Sequence, residues 1–459
     1  MKLRLLLSVF FAFWAFVSCT TTDNGCNDND DCEFVSSSSG GGGGNSNGGG
    51  GDSSSSGGGG GNSSSGGGGG NGSWTGWPFD NSGEDLQGEC PSYGTPIEIK
   101  YNNGGAPEVT NPYTGEVSVT NVGEHITVNL GAVERNLLLS GTAQNGSLKV
   151  YGDERVGLYL NGVRITNSSG PAINIQKSRR VNVCLVSSKE NYLDGASGAP
   201  APKDQEQAKG AFFSEKKLYF IGSGSLEVKA RLGQGNGHAI AVDDDFEMDN
   251  GKIIISEAAG DGIHANYRIE VKGGVIKIAS KGDGIQSERD SVIVSGGKIL
   301  VKTTGVKSHG IVSEGSTSIR EDAKVQISVL GNGSKGIKST SWAEIKGGTV
   351  AIQASGDRDQ NDADTSTAAG IKVGGDNAVD LFIEGGTITI KSPGSKAKGI
   401  NTSGDIDMKD GNVDIEADDD GIKVHGTLKM SGGRITAVSR KSDAIDGDVR
   451  KTGGTINGN

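Results

Sequence analysis

A two-residue motif, Gly-Ile or its variant Ala-Ile, returns nine times in the second half of the chain: Ala239-Ile240, Gly262-Ile263, Gly284-Ile285, Gly310-Ile311, Gly336-Ile337, Gly370-Ile371, Gly399-Ile400, Gly421-Ile422 and Ala444-Ile445. A second landmark follows at about 12 residues, as Gly273-Gly274, Gly296-Gly297, Gly347-Gly348, Gly385-Gly386, Gly432-Gly433 and Gly453-Gly454, with Asn250-Gly251 and Asp410-Gly411 as variants. After it comes a β-branched alternation such as Val275-Ile276-Lys277-Ile278 or Thr387-Ile388-Thr389-Ile390. Three short β-rich segments per unit, always in one order and bounded by glycine, are the pattern of one coil of a solenoid. The shortest unit is 22 residues, from Gly262 to Gly284 and again from Gly399 to Gly421, and the longest, Gly336 to Gly370, holds an insertion at 357–367. Helical periodicity is absent, a propeller blade needs about 40–45 residues per repeat, and a sandwich needs hairpins of opposite direction.

The expected fold class is therefore all-β, a right-handed parallel β-helix. Coils stacked at about 4.8 Å bury Ile on Ile and Val on Val along the axis. Glycine is expected at the corners because it tolerates φ > 0. About eleven coils follow Gly170-Pro171-Ala172-Ile173. Residues 93–169 are strand-rich and read as an N-terminal cap with the first coils, since an open solenoid end is an exposed sheet edge.

Ahead of the repeat the chain has a different character. Met1-Lys2-Leu3-Arg4 is basic, Leu5 to Val17 is apolar but too short for a final membrane anchor, and Ser18-Cys19 closes the run. This resembles a bacterial lipoprotein signal: residues 1–18 are removed and Cys19 takes the lipid, which anchors an exported protein to a membrane, at the cell surface. Residues 19–92 begin acidic and become, from Ser36 to Ser73, almost only Gly, Ser and Asn. Such a tract has nothing to bury and acts as a tether with a root-mean-square span on the order of 35 Å. Trp74, Trp77 and Phe79 end it and read either as a docking anchor or as a sugar-stacking group.

The net charge of −12 argues against a nucleic-acid partner, which needs a basic face, and leaves divalent cations open. The five cysteines, Cys19, Cys26, Cys32, Cys90 and Cys184, contain no Cys-x-x-Cys pair, so a zinc cluster is not expected. Export permits disulfides, with Cys26 and Cys32 the nearest pair, and the molecule is expected to be a monomer.

Leu158-Tyr159-Leu160-Asn161-Gly162-Val163-Arg164-Ile165-Thr166-Asn167, then Gly170-Pro171-Ala172-Ile173, Asn191-Tyr192-Leu193-Asp194-Gly195, Ala211-Phe212-Phe213-Ser214-Glu215-Lys216-Lys217-Leu218 and Gly222-Ser223-Gly224, form an ordered set that leads into Asp261-Gly262-Ile263 and Asp420-Gly421-Ile422. Over roughly Thr95 to Gly454 the chain resembles the bacterial β-helical carbohydrate-binding domain family with a pectate-lyase-like fold. The resemblance implies a non-catalytic surface domain that binds plant cell-wall polysaccharide, polygalacturonate above all, with bound calcium. An Asp before the repeat pair is kept at Asp261, Asp283, Asp420 and Asp443 and replaced by His309, Lys335, Ala369 and Lys398, which breaks any continuous carboxylate row.

Because side chains alternate along a strand, an inward Ile263 makes His264 point outward. The same column then carries Gln286, Val312, Lys338, Lys372, Asn401, Lys423 and Asp446. A polar column at coil spacing can read a repeating polysaccharide, with Lys338, Lys372 and Lys423 meeting uronate carboxylates, or can simply be the solvated face of a solenoid. Trp342 and Tyr267, at the corner after that strand, offer stacking platforms or packing over the corner. Three acidic clusters are candidate calcium ligands or solvated loops: Asp243, Asp244 and Asp245; Asp418, Asp419 and Asp420; and Asp357, Asp359, Asn361, Asp362 and Asp364. The last lacks the Gly and Glu of an EF-hand loop. His238, His264 and His309 lack metal spacing within one strand, although stacking can bring them together. A calcium-dependent lyase is the alternative, with Arg268 beside Asp243–Asp245 or Lys423 beside Asp418–Asp420 as the base. A structural adhesin is the other.

Overall fold

Strands here are built by strict alternation: in segments such as Val275–Ser280 and Thr387–Ser392 every second residue is buried, the pattern of a strand with one face on a core. The computed structural model describes residues 89–196, 206–231, 237–360 and 366–459. The signal segment, Cys19, Cys26, Cys32, the Gly/Ser tether, Trp74, Trp77, Phe79 and, in the insertion, Asn361, Asp362 and Asp364 lie outside the described residues. Among the described residues there is no helix, and the strands wind into a β-solenoid of about 13 turns with mostly parallel pairing.

Each coil gives one strand to each of three sheets. The first sheet holds the repeat pair, in strands such as Ile263–Ala265, Ile285–Ser287, Ile311–Ser313, Lys335–Ser339 and Ala369–Val373. The second holds Ile269–Val271, Val292–Val294, Thr317–Ile319 and Ala343–Ile345, and the third holds Val275–Ser280, Lys298–Thr303, Lys324–Val329 and Thr349–Ala354. The eleven coils expected after residue 170 are present as eleven first-sheet strands, from Ile173–Ile175 to Ile445–Lys451. Register is continuous: Ile263, Ile285, Ile311, Ile337, Ile371, Ile400, Ile422 and Ile445 pair in line from coil to coil. Ile278, Val301, Ile327, Ile352, Ile390 and Ile415 do the same in the third sheet. These ladders form one continuous buried core.

The glycines divide into two kinds, and only one meets the expectation of corner residues with φ > 0. The second glycine of the Gly-Gly landmark does, with φ of 73° at Gly297, 71° at Gly348 and 81° at Gly386. The glycine of the repeat pair has ordinary backbone angles and is needed for space. A Cβ on Gly310 would run into Ile327 Cγ2 from the third sheet and into the carbonyl oxygen of Gly336 on the next coil. The pair therefore marks where two sheets approach most closely across the core.

The N-terminal end is closed by two hairpins. Ile97–Asn102 pairs antiparallel with Gly105–Thr110, and Ser118–Val122 pairs antiparallel with Glu124–Asn129, before parallel stacking begins. Residues 90–94 then lie as a strap over outward side chains of the second sheet. Cys90 is disulfide-bonded to Cys184. Tyr159 donates its hydroxyl to Pro91 O at 2.6 Å, and Asn136 Nδ2 donates to Gly94 O at 2.8 Å. The folded unit thus reaches back at least to Cys90, ahead of the boundary expected at 93. Closing a loop of 94 residues removes denatured-chain entropy, an effect of about 4–5 kcal/mol in the chain-entropy account.

Along the outer face of the second sheet, cations and carboxylates of successive coils pair with one another. Glu247 takes both Lys217 and Lys272. Glu344 takes Arg320 and Lys346 at 2.7 Å each, and Glu384 takes Lys409 at 2.7 Å. Burial alone would raise the Glu247 carboxyl, but hydrogen bonds from Lys217 and Lys272 outweigh it and bring the pKa down to about 2.

Two outcomes follow from this packing. Gly310→Ala should lower unfolding stability by about 1–3 kcal/mol, the usual cost of forcing a methyl into a filled core. Gly115→Ala, where a Cβ meets nothing within 4 Å, should be neutral or slightly stabilising. Urea titration of both variants checks this, and equal midpoints would refute the close-approach role. For Glu247, a folded-state pKa below the ordinary glutamate value of 4.5 means that its contribution is complete above that pH and disappears as pH falls through about 2. Melting curves of wild type and Glu247→Gln should therefore differ most near neutrality and converge towards pH 2.

Candidate functional site

The outward column of the first sheet is assembled as one line of residues. His264 is in register with Gln286, Gln286 with Val312, Val312 with Lys338, Lys338 with Lys372, Lys372 with Asn401, Asn401 with Lys423 and Lys423 with Asp446. Parallel pairing sets the separation of neighbours in this line at about 4.8 Å. Its two ends differ in character. His264 and Val312 are buried, at 3% exposure each, whereas Lys338, Lys372, Asn401 and Lys423 are partly exposed. His264 therefore does not face water, as an outward residue was expected to.

Lys338 and Lys372 are the unusual pair. They are register neighbours on successive coils, and neither forms an ion pair among the described residues. Lys372 Nζ donates to Asn401 Oδ1 at 3.3 Å, and burial holds its ammonium below the usual lysine range. His425, two residues past Lys423 on the same strand, is also held low, by burial and then by the charges of Lys372 and Lys423. Lys423 itself is paired with Asp446. The cations of the second sheet are matched by carboxylates, whereas Lys338 and Lys372 in this stretch of the first sheet have no ion-pair partner among the described residues.

Trp342 and Tyr267 are exposed at 39% and 43%. Trp342 lies on the coil of Lys338, just past its strand, and Tyr267 lies three coils away, about 14 Å at the parallel-sheet repeat. They are separate surfaces, and Arg289 sits 5.8 Å over the Tyr267 ring.

The residue before the repeat pair has a role that sequence reading missed. His238 Nδ1 accepts from the Asp261 backbone N–H at 3.0 Å, and Asp261 Oδ1 accepts from Asp283 N–H at 2.7 Å. Asp283 Oδ1 accepts from His309 N–H at 2.5 Å, and His309 Nδ1 accepts from Lys335 N–H at 3.0 Å. Each side chain thus staples the next coil at a corner where the strand ladder lapses. The available signal was that this position alternates between Asp and His, the side chains able to accept there. Burial and the charge of Asp261 push the Asp283 carboxyl up to about 7. Asp261 is held well below the carboxylate range because the imidazoles of His238 and His264 beside it outweigh its burial.

The acidic clusters engage cations and backbone. Asp243 pairs with Lys209, and Asp245 accepts from Arg268 N–H at 3.1 Å while Asp244 accepts from Asp245 N–H at 2.9 Å. Asp419 and Asp420 share Lys398, and Asp418 takes Lys441 at 3.0 Å. Asp357 accepts from Ser395 N–H at 2.6 Å, and the buried Asp359 lies 3.8 Å from Lys307. None of the three clusters brings three carboxylates to one point among the described residues; the one converging group of donors there is His238, Asp261 and His264. The two base-and-carboxylate sets drawn for a lyase are likewise occupied: Arg268 lies 3.5 Å from Asp245 and 3.8 Å from Glu270, and Lys423 is bound to Asp446.

Comparison with known proteins places this geometry in a family. A relative from Acetivibrio thermocellus, described as a carbohydrate-binding domain-containing protein, is 28% identical over 257 residues, 46% of this chain and 88% of its own. A solved structure of a polysaccharide lyase-like protein from C. thermocellum, as a gadolinium derivative, aligns over 66% of this chain and 96% of its own, at 18% identity and a TM-score of 0.37. The family model described as carbohydrate-binding domain-containing protein matches residues 122–394, more than half of the chain and all of the coils from His238 to Lys372, and the chain belongs to that family.

Proposed function

We propose that this carbohydrate-binding domain protein holds an acidic polysaccharide, polygalacturonate of plant cell-wall pectin, along the outer face of its first sheet without cleaving it, while lipid on Cys19 ties it to the surface of the cell. The carrying observation is the pair Lys338 and Lys372, in register on adjacent coils and without ion pairs, in a chain whose net charge is −12. A regular polymer of carboxylates matches a regular column of cations, and an ammonium already partly desolvated, as at Lys372, loses less hydration on meeting a carboxylate. Trp342 on the same coil offers a ring face for a sugar. An open, shallow face suits binding along a chain, and the cations drawn as lyase bases are already engaged by carboxylates, which supports binding without catalysis. Calcium, which the resemblance implies, would act either in the contact or in the fold.

The test is affinity electrophoresis of the mature chain through gels containing polygalacturonate, fully methyl-esterified pectin or a neutral glucan, with calcium or with chelator. The same mixtures are read in the ultraviolet for unsaturated products. Wild type should be retarded by polygalacturonate and not by the ester, without product, and less so as salt rises. Lys338→Ala/Lys372→Ala should weaken retention at least about tenfold, the worth of one charge-assisted hydrogen bond. Unchanged retention would remove the site assignment, and product formation would turn the reading to a lyase.

A further inference from the structure

The converging group beside the cation column has a chemistry of its own. His238 comes from one coil and Asp261 and His264 from the next, and all three are buried, at 5%, 8% and 3% exposure. Asp261 Oδ2 lies 3.1 Å from His238 Nδ1 and 3.0 Å from His264 Nδ1, and the two imidazole rings stack with centroids 4.2 Å apart. One donor atom from each residue falls within 4.8 Å of the others. Separations near 3 Å suit donors that share one small cation at about 2.0–2.2 Å.

The hydrogen bonds leave His238 frustrated. Its Nδ1 accepts from the Asp261 backbone N–H, so the lone pair on that nitrogen faces the carboxylate oxygen 3.1 Å away. A proton on Nδ1 would relieve that contact and set N–H against N–H. Either tautomer leaves one repulsive contact, and His238 Nε2 is buried without a hydrogen-bond partner. A cation lying against the carboxylate and the two Nδ1 atoms would take the His238 lone pair from the Asp261 N–H and convert the repulsion with the carboxylate into ligand bonds. His264 Nε2 is meanwhile 3.3 Å from Glu288 Oε1. That is the arrangement by which a carboxylate orients a ligating imidazole. Glu288 is itself 41% exposed and gives the cluster an edge towards solvent.

We propose that His238, Asp261 and His264 bind one divalent first-row transition cation, with Glu288 as a positioning residue. Two imidazole nitrogens select this class over calcium, which takes oxygen ligands. Three protein donors leave a position for an outside oxygen. The site does not depend on the polysaccharide reading.

The experiment uses the untagged mature chain, stripped with chelator and dialysed, then titrated with Co²⁺ and followed by visible absorption and by metal retained after gel filtration. One equivalent should be retained, and a hundredfold excess of Ca²⁺ should not displace it. His238→Gln and His264→Gln should each weaken retention at least tenfold. Asp261→Asn should do the same while keeping an oxygen acceptor for the Asp283 N–H, and its melting temperature shows whether the coil staple survives. X-ray absorption of Zn²⁺-loaded wild type needs no variant and should show about two imidazoles at about 2.0–2.1 Å. No retained metal, an all-oxygen shell, or retention unchanged in both histidine variants would overturn the site.

Discussion

Coil-to-coil hydrogen bonding at a fixed spacing is the interaction on which everything else in this molecule rests. Once Ile263, Ile285 and Ile311 are paired in register, the residue after each is also placed in line, so the outer surface becomes a set of straight columns. No coil could hold this geometry alone, because its few inward side chains enclose a core only when a neighbour covers them. The price is at the corners, where the ladder lapses and backbone N–H groups need other acceptors. The chain His238, Asp261, Asp283, His309 supplies them on one corner. Asp380 and Asp405 supply them on another, to Asp405 N–H at 2.8 Å and Thr427 N–H at 2.7 Å.

The same regularity turns sequence charge into surface pattern. A like-charge pair in register on adjacent coils is held at close range by the backbone, whatever the side chains prefer. On the second sheet that strain is avoided by alternating sign, as in Arg320, Glu344 and Lys346. On the first sheet it is retained at Lys338 and Lys372. Nothing in the fold requires it, since Asn401 and Val312 show that neutral residues fit the same column. A column that keeps an avoidable repulsion is the part of the surface best explained by a ligand of opposite charge.

The legible parts of the fold were those carried by local pattern. Period-two alternation and the Gly-Ile pair place the sheets, the register and the outward column without error, because in a solenoid register follows from the repeat. What escaped depended on contacts across coils. Cys90 and Cys184 are 94 residues apart, and nothing near either marks the other, while Cys26 and Cys32 drew attention through mere proximity. The glycine of the repeat pair was assigned to a strained turn, but its neighbour across the core, Ile327 in the case of Gly310, belongs to another sheet. His264 was read as solvent-facing because alternation gives direction and not cover. Its burial comes from Asp261, Gln286, Glu288 and the His238 ring, three of them on other coils.

The position before the repeat pair links fold and site. It needs only an acceptor, so Asp and His are interchangeable there as staples, and the replacement of one by the other costs the frame little. It changes the chemistry of the face a great deal. Histidine at 238 and at 264, one on the staple position and one on the outward column, sets two stacked imidazoles against Asp261. From Lys335 to Lys398 the position carries Lys335, Ala369 and Lys398, none of which can accept, and the staple chain is interrupted until Asp returns at Asp420 and Asp443. The partly exposed cations Lys338 and Lys372 lie over that same stretch. The staple position and the neighbouring outward column thus share a stretch that accepts hydrogen bonds and collects imidazole and carboxylate, followed by a stretch that donates. The proposed nitrogen-and-oxygen cation site and the proposed anion-binding surface meet where the coils cease to keep an acceptor at one position.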